Sequence, residues 1–167
     1  LIMILQLIPE NQQKKRIRKE KNNSVPFPFV IYESTVYPGL TEEFCGKILE
    51  KESKLILNKD FFLGYSPERI NPGDKIHSVD KITKVVSSNN KKSLKILKEI
   101  YSKLTSGQIF IAKNIKVAEA AKVIENSQRD INIAFVNEVM MLSKALKINS
   151  NEVLEAAATK WNFLNFK

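Results

Sequence analysis

Apolar residues recur at helical spacing across 115–146, where Ile124, Ile131, Phe135, Val139, Leu142 and Leu146 form one stripe and no Gly or Pro interrupts. The spacing predicts one long amphipathic helix. About thirty residues at helical rise reach roughly 45 Å, more than a small α/β domain needs to cover itself. Its far end is therefore expected to pack against a partner. A second stripe places Glu119, Lys122, Asn126 and Arg129 three or four residues apart. It reads either as a solvated face or as a site for a phosphorylated or hydroxylated ligand, since lysine brings charge and asparagine both a donor and an acceptor.

Upstream the period changes. FVIYEST at 29–35 is aromatic and β-branched and predicts a buried strand. Tyr37, Pro38 and Gly39 break it, and Thr41, as a side-chain cap with Glu42 and Glu43 behind it, predicts a helix to about 53. DFFLGY at 60–65 predicts a second strand, followed by the loop ERINPGDKIHSVD with Pro72 and Gly73 as turn formers. ITKVVSS at 82–88 predicts a third strand, and Asn89 or Asn90 caps a helix with Leu94, Leu97, Ile100, Tyr101 and Leu104 as its stripe. Gly107 stands where a helix end wants positive φ. QIFIA at 108–112 predicts a fourth strand, then come the long helix and a shorter one over 150–159. Strands alternating with helices predict an open, parallel α/β sheet; the last two helices have no following strand and belong to another layer or subunit.

Composition changes this picture little. At 167 residues, 43% hydrophobic and 27% charged, the chain can bury the core of one domain. The net charge of +9 raises nucleic acid as a partner. Yet Lys14, Lys15, Arg16, Arg18, Lys19 and Lys21, against Glu10 and Glu20, put six minus two, or +4, of it into one run. No aromatics interleave the lysines, so nucleic-acid binding is not expected. Residues 1–28, an apolar octet, this run and VPFPF, are expected to be poorly ordered. The octet lacks the basic region and cleavage site of a secretory signal, and no run is long enough to span a membrane. One cysteine allows neither a disulfide nor a metal cluster, which fits a reducing cytoplasm. The chain begins with Leu1 rather than methionine, as expected of a processed chain or a piece of a longer one.

Candidate chemistry gathers at strand ends, where ligands collect in open α/β sheets. Ser34, Thr35 and Val36 follow the first strand; the two hydroxyls could bind phosphate, hold a water or simply form the turn. Glu68, after Ser66 and Pro67, is either a partly desolvated general base or a solvated carboxylate. Cys45, between Phe44 and Gly46, reads as a core thiol and His77 as a loop residue. Glycines at 39, 46, 64, 73 and 107 cannot compose a G-x-G-x-x-G loop.

Three segments together, YESTVYPGLTEEF at 32–44, GYSPERINPGD at 64–74 and KVAEAAKVIENSQRDINIAFVNE at 116–138, resemble the UDP-glucose/GDP-mannose dehydrogenase family. The likeness runs from 29 to 167, and the wording is nearest the branch acting on UDP-N-acetylhexosamines or their uronic acids. It implies the C-terminal part of a Rossmann-like parallel sheet, then a central dimerisation helix and a shorter helix. The domains implied are a basic segment 1–28, a partial NAD-binding domain 29–114 and the start of a central helical domain 115–167.

The resemblance implies a cytoplasmic homodimeric oxidoreductase of polysaccharide biosynthesis, with NAD as cofactor, a UDP-sugar as substrate, and neither membrane nor metal. In the family, NAD takes two hydrides in turn from the sugar C6, and a cysteine holds the carbon as a thioester before water releases the uronic acid. Carried over by position, Thr35 orients a water and Ser34, Thr35 and Val36 contact NAD. Glu68 does acid/base work and thioester hydrolysis, and Glu68, Arg69, Ile70, Asn71 and Pro72 line the sugar nucleotide. Lys122 and Asn126 stabilise the C6 alkoxide, a task their charge and amide suit; Arg129 and Asn132 receive no firm role. The glycine-rich opening of the family is missing, 1–28 does not match its text, and Cys45 falls in the wrong element to be the nucleophile. The chain is therefore expected to be an interior fragment, inert alone. The alternatives are a non-catalytic dimerisation or regulatory module and, with less support, a basic nucleic-acid-binding domain.

Overall fold

The computed structural model describes residues 2–5, 28–70, 73 and 80–164. The chain divides into two compact units, Leu1–Val123 and Ile124–Lys167.

The first unit is built on a five-stranded sheet in the order β1 (Ile2–Leu5), β2 (Phe29–Tyr32), β3 (Phe62–Tyr65), β4 (Lys84–Ser88) and β5 (Ile109–Ile111). β1, β2 and β3 run parallel, β4 is antiparallel to β3, and β5 is parallel to β4. The sheet is thus mixed where the strand pattern predicts it parallel. Residues 2–5 also depart from expectation: grouped by composition with a poorly ordered segment, they pair as β1, with Ile2 opposite Phe29 and Leu5 opposite Tyr32.

β2, β3 and the middle of β4 are covered on both faces, and β2 and β3 accordingly read as continuous apolar runs, whereas Phe110 and Ile111 of β5 stay exposed. Alternation sends Val30, Tyr32, Leu63, Tyr65 and Val85 to one face, where they meet Val36, Leu49, Ala112, Ile115 and Ala118. That face lies under a π-helix, Leu40–Gly46, continued by α1 (Lys47–Ser53), and under the start of α3 (Ile115–Leu146). Phe29, Ile31, Phe62 and Val86 point the other way, onto Leu97 and Tyr101 of α2 (Lys91–Leu104). Leu97 is fully buried. Leu97→Ala is expected to destabilise the unit by about 2–5 kcal/mol through lost burial and the cavity left behind, read as a lower urea midpoint with an unchanged slope.

Helix ends follow the sequence in part. Asn90 caps α2, its side chain accepting from the Ser93 N–H, and Asn114 does the same for α3 through Val117. Gly107 does not take positive φ. The chain closes α2 in an extended conformation at Thr105, and Gly107 is needed because the backbone of 81 and 82 passes against it.

The second unit holds the remainder of α3 and α4 (Ser150–Ala158), whose Asn149 cap accepts from the Asn151 N–H. Its apolar stripe lies open: Ile124, Ile131, Leu142 and Leu146 are each at least 60% exposed. No helix among the described residues is long and apolar enough to cross a membrane.

Candidate active site

β2 and β3 end in register at Tyr32 and Tyr65, and the chain beyond them stays zipped. The Ser66 N–H donates to the Tyr32 carbonyl at 3.0 Å, the Glu68 N–H to that of Glu33 at 3.3 Å, and the Tyr65 hydroxyl to that of Ser34 at 3.0 Å. Ser34, Thr35 and Val36 therefore lie on the strand extension next to the one carrying Glu68. Val36 is buried in the core and anchors the turn, while Thr35 is exposed and Ser34 half-buried.

Glu68 is held by its own turn and by the next strand. Its Oε1 accepts from the N–H groups of Arg69 and Ile70 at 2.8 and 3.1 Å, and Lys84 Nζ stands 3.8 Å away. Arg69 in turn donates to the Thr83 carbonyl at 3.2 Å. Lys84 is buried, and motif reading misses it. A lysine opening the Val-Val strand is the available signal, because a buried charge must find a partner. Behind the same strand ends the buried Tyr101 hydroxyl donates to Glu33 Oε1 at 2.6 Å. Burial first, then the Glu33 carboxylate, push the Tyr101 hydroxyl well above its usual range, so it stays a donor at any working pH. Asn71, Pro72 and His77 lie outside the described residues, as does the basic run 14–21.

The polar stripe on α3 is solvated at Arg129 but not at its start. Glu119 is fully buried and Lys122 is 9% exposed. Glu119 accepts from the Gly39 N–H at 2.5 Å and the Thr41 N–H at 2.9 Å, and so caps the π-helix that follows β2. The expected cap, Thr41, does not act: Gly39 occupies the cap position at φ 101, no side chain of its own segment bonds there, and the buried Thr41 Oγ1 has no hydrogen-bond partner. The local cap lost because a carboxylate brings two acceptors to two orphan N–H groups, where a hydroxyl serves one. In the second unit, half-buried Asn126 accepts from Arg129 Nη2 at 3.0 Å.

Electrostatics around this cap are uneven. Lys116 pairs with Glu43 at the surface. Burial first, then the Glu119 carboxylate, raise the Glu42 carboxyl above its ordinary range. A folded-state value raised above the unfolded one means the fold holds that proton more tightly, so stability falls as pH climbs through the raised value. Glu42→Gln is thus expected to raise the urea midpoint at pH 7 and to leave it unchanged near pH 3, where the carboxyl is protonated in both states. Cys45 packs half-buried against the core, and burial raises its thiol, which makes it a poor nucleophile. Among the described residues no three His, Cys, Asp or Glu side chains gather as a metal site.

The NAD-binding domain of the UDP-glucose/GDP-mannose dehydrogenase family matches residues 11–105, and the central domain of that family matches residues 116–166. The chain belongs to this family. Its match begins at residue 11, ahead of the basic run, which the motifs alone leave outside the likeness. Protein CapL of Staphylococcus aureus is 58% identical over 142 residues, 85% of this chain and 34% of CapL. A UDP-N-acetyl-D-glucosamine 6-dehydrogenase of Pseudomonas aeruginosa is 54% identical over 138 residues, 83% of this chain and 33% of that protein. The chain thus spans about a third of the length of the curated relatives it matches. The UDP-D-ManNAc dehydrogenase structure from Pyrococcus horikoshii superposes with a TM-score of 0.79 at 29% identity, over 93% of this chain and 37% of that one. The likeness to solved family members confirms a Rossmann-type α/β fold.

Proposed function

We propose that these residues are part of an NAD-dependent nucleotide-sugar 6-dehydrogenase that oxidises the C6 alcohol of a UDP-N-acetylhexosamine to the uronic acid for polysaccharide biosynthesis. The observation that carries the reading is the pairing of Thr35 and Glu68 on adjoining strand extensions, with Lys122 one helical turn beyond the carboxylate that grips the same loop.

NAD fits the strand-end turn only in part. Residues 34–36 follow the carboxyl end of a parallel strand, where a dinucleotide would sit, and of them Thr35 is exposed and Ser34 half-buried. No G-x-G-x-x-G occurs in these 167 residues, so they supply no pyrophosphate cradle of that kind. When bound, NAD would accept hydride from the sugar C6.

The chain's own residues do the rest. Ser34, Thr35 and Val36 hold the cofactor edge, and Thr35 orients a water. Glu68 moves the protons: with Oε1 engaged by two N–H groups and Lys84, its other oxygen is the one that reaches substrate or water. Lys122 places positive charge where the C6 alkoxide develops. Asn126 assists it, a role we carry on family resemblance alone. Glu68, Arg69, Ile70, Asn71 and Pro72 line the sugar nucleotide. Half-buried Cys45, its thiol raised by burial and placed in the helix after β2, is a poor nucleophile for the thioester step, so the chain alone is expected not to turn over.

The test uses a protein that carries these residues together with a glycine-rich loop and a further cysteine, with UDP-N-acetylglucosamine as probe. Two NADH per sugar are expected; one or none would overturn the reading. We also propose a cytoplasmic homodimer joined through α3, on the strength of its open apolar stripe. Sedimentation that finds a monomer at micromolar concentration would refute it. A stable dimer that binds neither NAD nor UDP-sugar would instead favour a dimerisation module without chemistry.

A further inference from the structure

Glu119 is the most completely enclosed carboxylate among the described residues, and its oxygens accept from backbone N–H groups about 80 positions earlier in the chain. A buried charge is costly unless hydrogen-bonded. Here both oxygens are used, one on Gly39 and one on Thr41. Gly39 can aim its N–H this way because it sits at φ 101, a conformation that side chains rarely adopt. The Thr41 hydroxyl, the one local group suited to cap this helix, makes no hydrogen bond.

What the joint holds is α3. Ile115 and Ala118 are buried in the core beside Val36, Lys116 reaches Glu43, and Glu119 ties the next residue to the turn. Lys122 follows three positions on, on the same side of the helix one turn further along. Apolar contacts at Ile115 and Ala118 fix how far α3 stands from the sheet but tolerate small slides and rotations. Two directed hydrogen bonds to backbone N–H groups two residues apart do not.

We propose that Glu119 is a positioning residue, whose grip on the Gly39 and Thr41 N–H groups fixes the Lys122 amine relative to the strand-end residues 34–36. This rests on the role assigned above to Lys122, but it is tested without turnover, so the two can fail separately. Glutamine at 119 keeps the shape and removes one acceptor, turning an NH2 group toward a backbone N–H.

In the 167-residue chain carrying Glu119→Gln, amine acetylation read by peptide mass spectrometry is expected to rise about tenfold at Lys122, with the Gly39 and Thr41 amides exchanging faster by a similar factor. Lys84, equally buried but held by Glu68, and the amides of β2 and β3 should stay as protected as before. Freed turn amides with unchanged Lys122 labelling would overturn the proposal. So would a parallel rise at Lys84 and the strands, the mark of a residue that merely holds the fold together. If the variant does not fold, the wild-type chain in rising urea decides. Lys122 labelling should then track exchange at Gly39 and Thr41 and precede exposure of Lys84; Lys122 opening while those amides stay protected would refute it.

Discussion

Alanine at position 107 is expected to cost the first unit about 3 kcal/mol, at the upper end of what one added methyl does to a packed structure. A Cβ there would come within 2.5 Å of the carbonyl oxygens of both Lys81 and Ile82. Those atoms are backbone and cannot rotate away as a side chain would. Nor can the two segments part, because the Asp80 carbonyl accepts from the N–H groups of Ser106 and Gly107 at 2.7 and 3.1 Å and from the Thr105 hydroxyl at 2.7 Å. The substitution pries apart the joint from which β4 and β5 both set out. The check is the thermal midpoint, expected to fall by about 10 °C, with loss of the cooperative transition as the extreme outcome. A variant with an unchanged midpoint would mean that this joint opens at no cost, and that the packing of 105–107 on 80–82 does not hold the strand pair.

Lys122→Met is expected to produce the largest functional effect. In a preparation that turns over NAD and a UDP-sugar, kcat should drop about 10²–10³-fold, the loss seen when one charge-stabilising donor is removed. KM should move little, because the charge on oxygen that the amine meets develops only toward the transition state. Methionine retains the stem that fills the nearly buried site, so lost packing is a small part of the effect. Lys116→Met on the same helix is the control: its amine is exposed and pairs with an exposed Glu43, and less than a twofold change is expected. Equal losses at both positions would point to helix placement rather than to a charge at the reacting carbon, and would remove the main chemical support for the dehydrogenase reading.

How much of this was legible beforehand can be judged residue by residue. The bounds of the long helix, 115–146, agree with the periodicity to the residue, because an uninterrupted stripe and the absence of Gly and Pro are local facts. The four expected strands are all present, each shorter at one or both ends than its apolar run. Asn90 is the cap that the sequence offered. Thr35 and Glu68 were placed at strand ends by counting alone, and the zipper between their segments agrees with that placement. Other readings failed together. Thr41 looked like a cap, Gly107 like a left-handed helix end, and Glu119 like part of a solvated face. Each is a sound local inference displaced by a partner far along the chain: Glu119 for Thr41, the 81–82 backbone for Gly107, and the turn after β2 for Glu119. Lys84 escaped motif reading for the same reason, since its partner Glu68 follows β3, well before β4 in the chain.

The sequence by itself determined the order and kind of the elements, the family motifs, and the want of a phosphate loop and of a suitably placed cysteine within these residues. These depend on spacing within a few positions, where side-chain direction follows from helix or strand period alone. Only the tertiary structure decided that β4 turns back against β3, that residues 2–5 add a strand, and that a carboxylate on α3 closes the helix after β2. Those outcomes are set by which distant groups compete for the same buried N–H, lone pair or edge. That competition is settled by packing, because inside a fold an unpaired polar group costs more than any local preference returns.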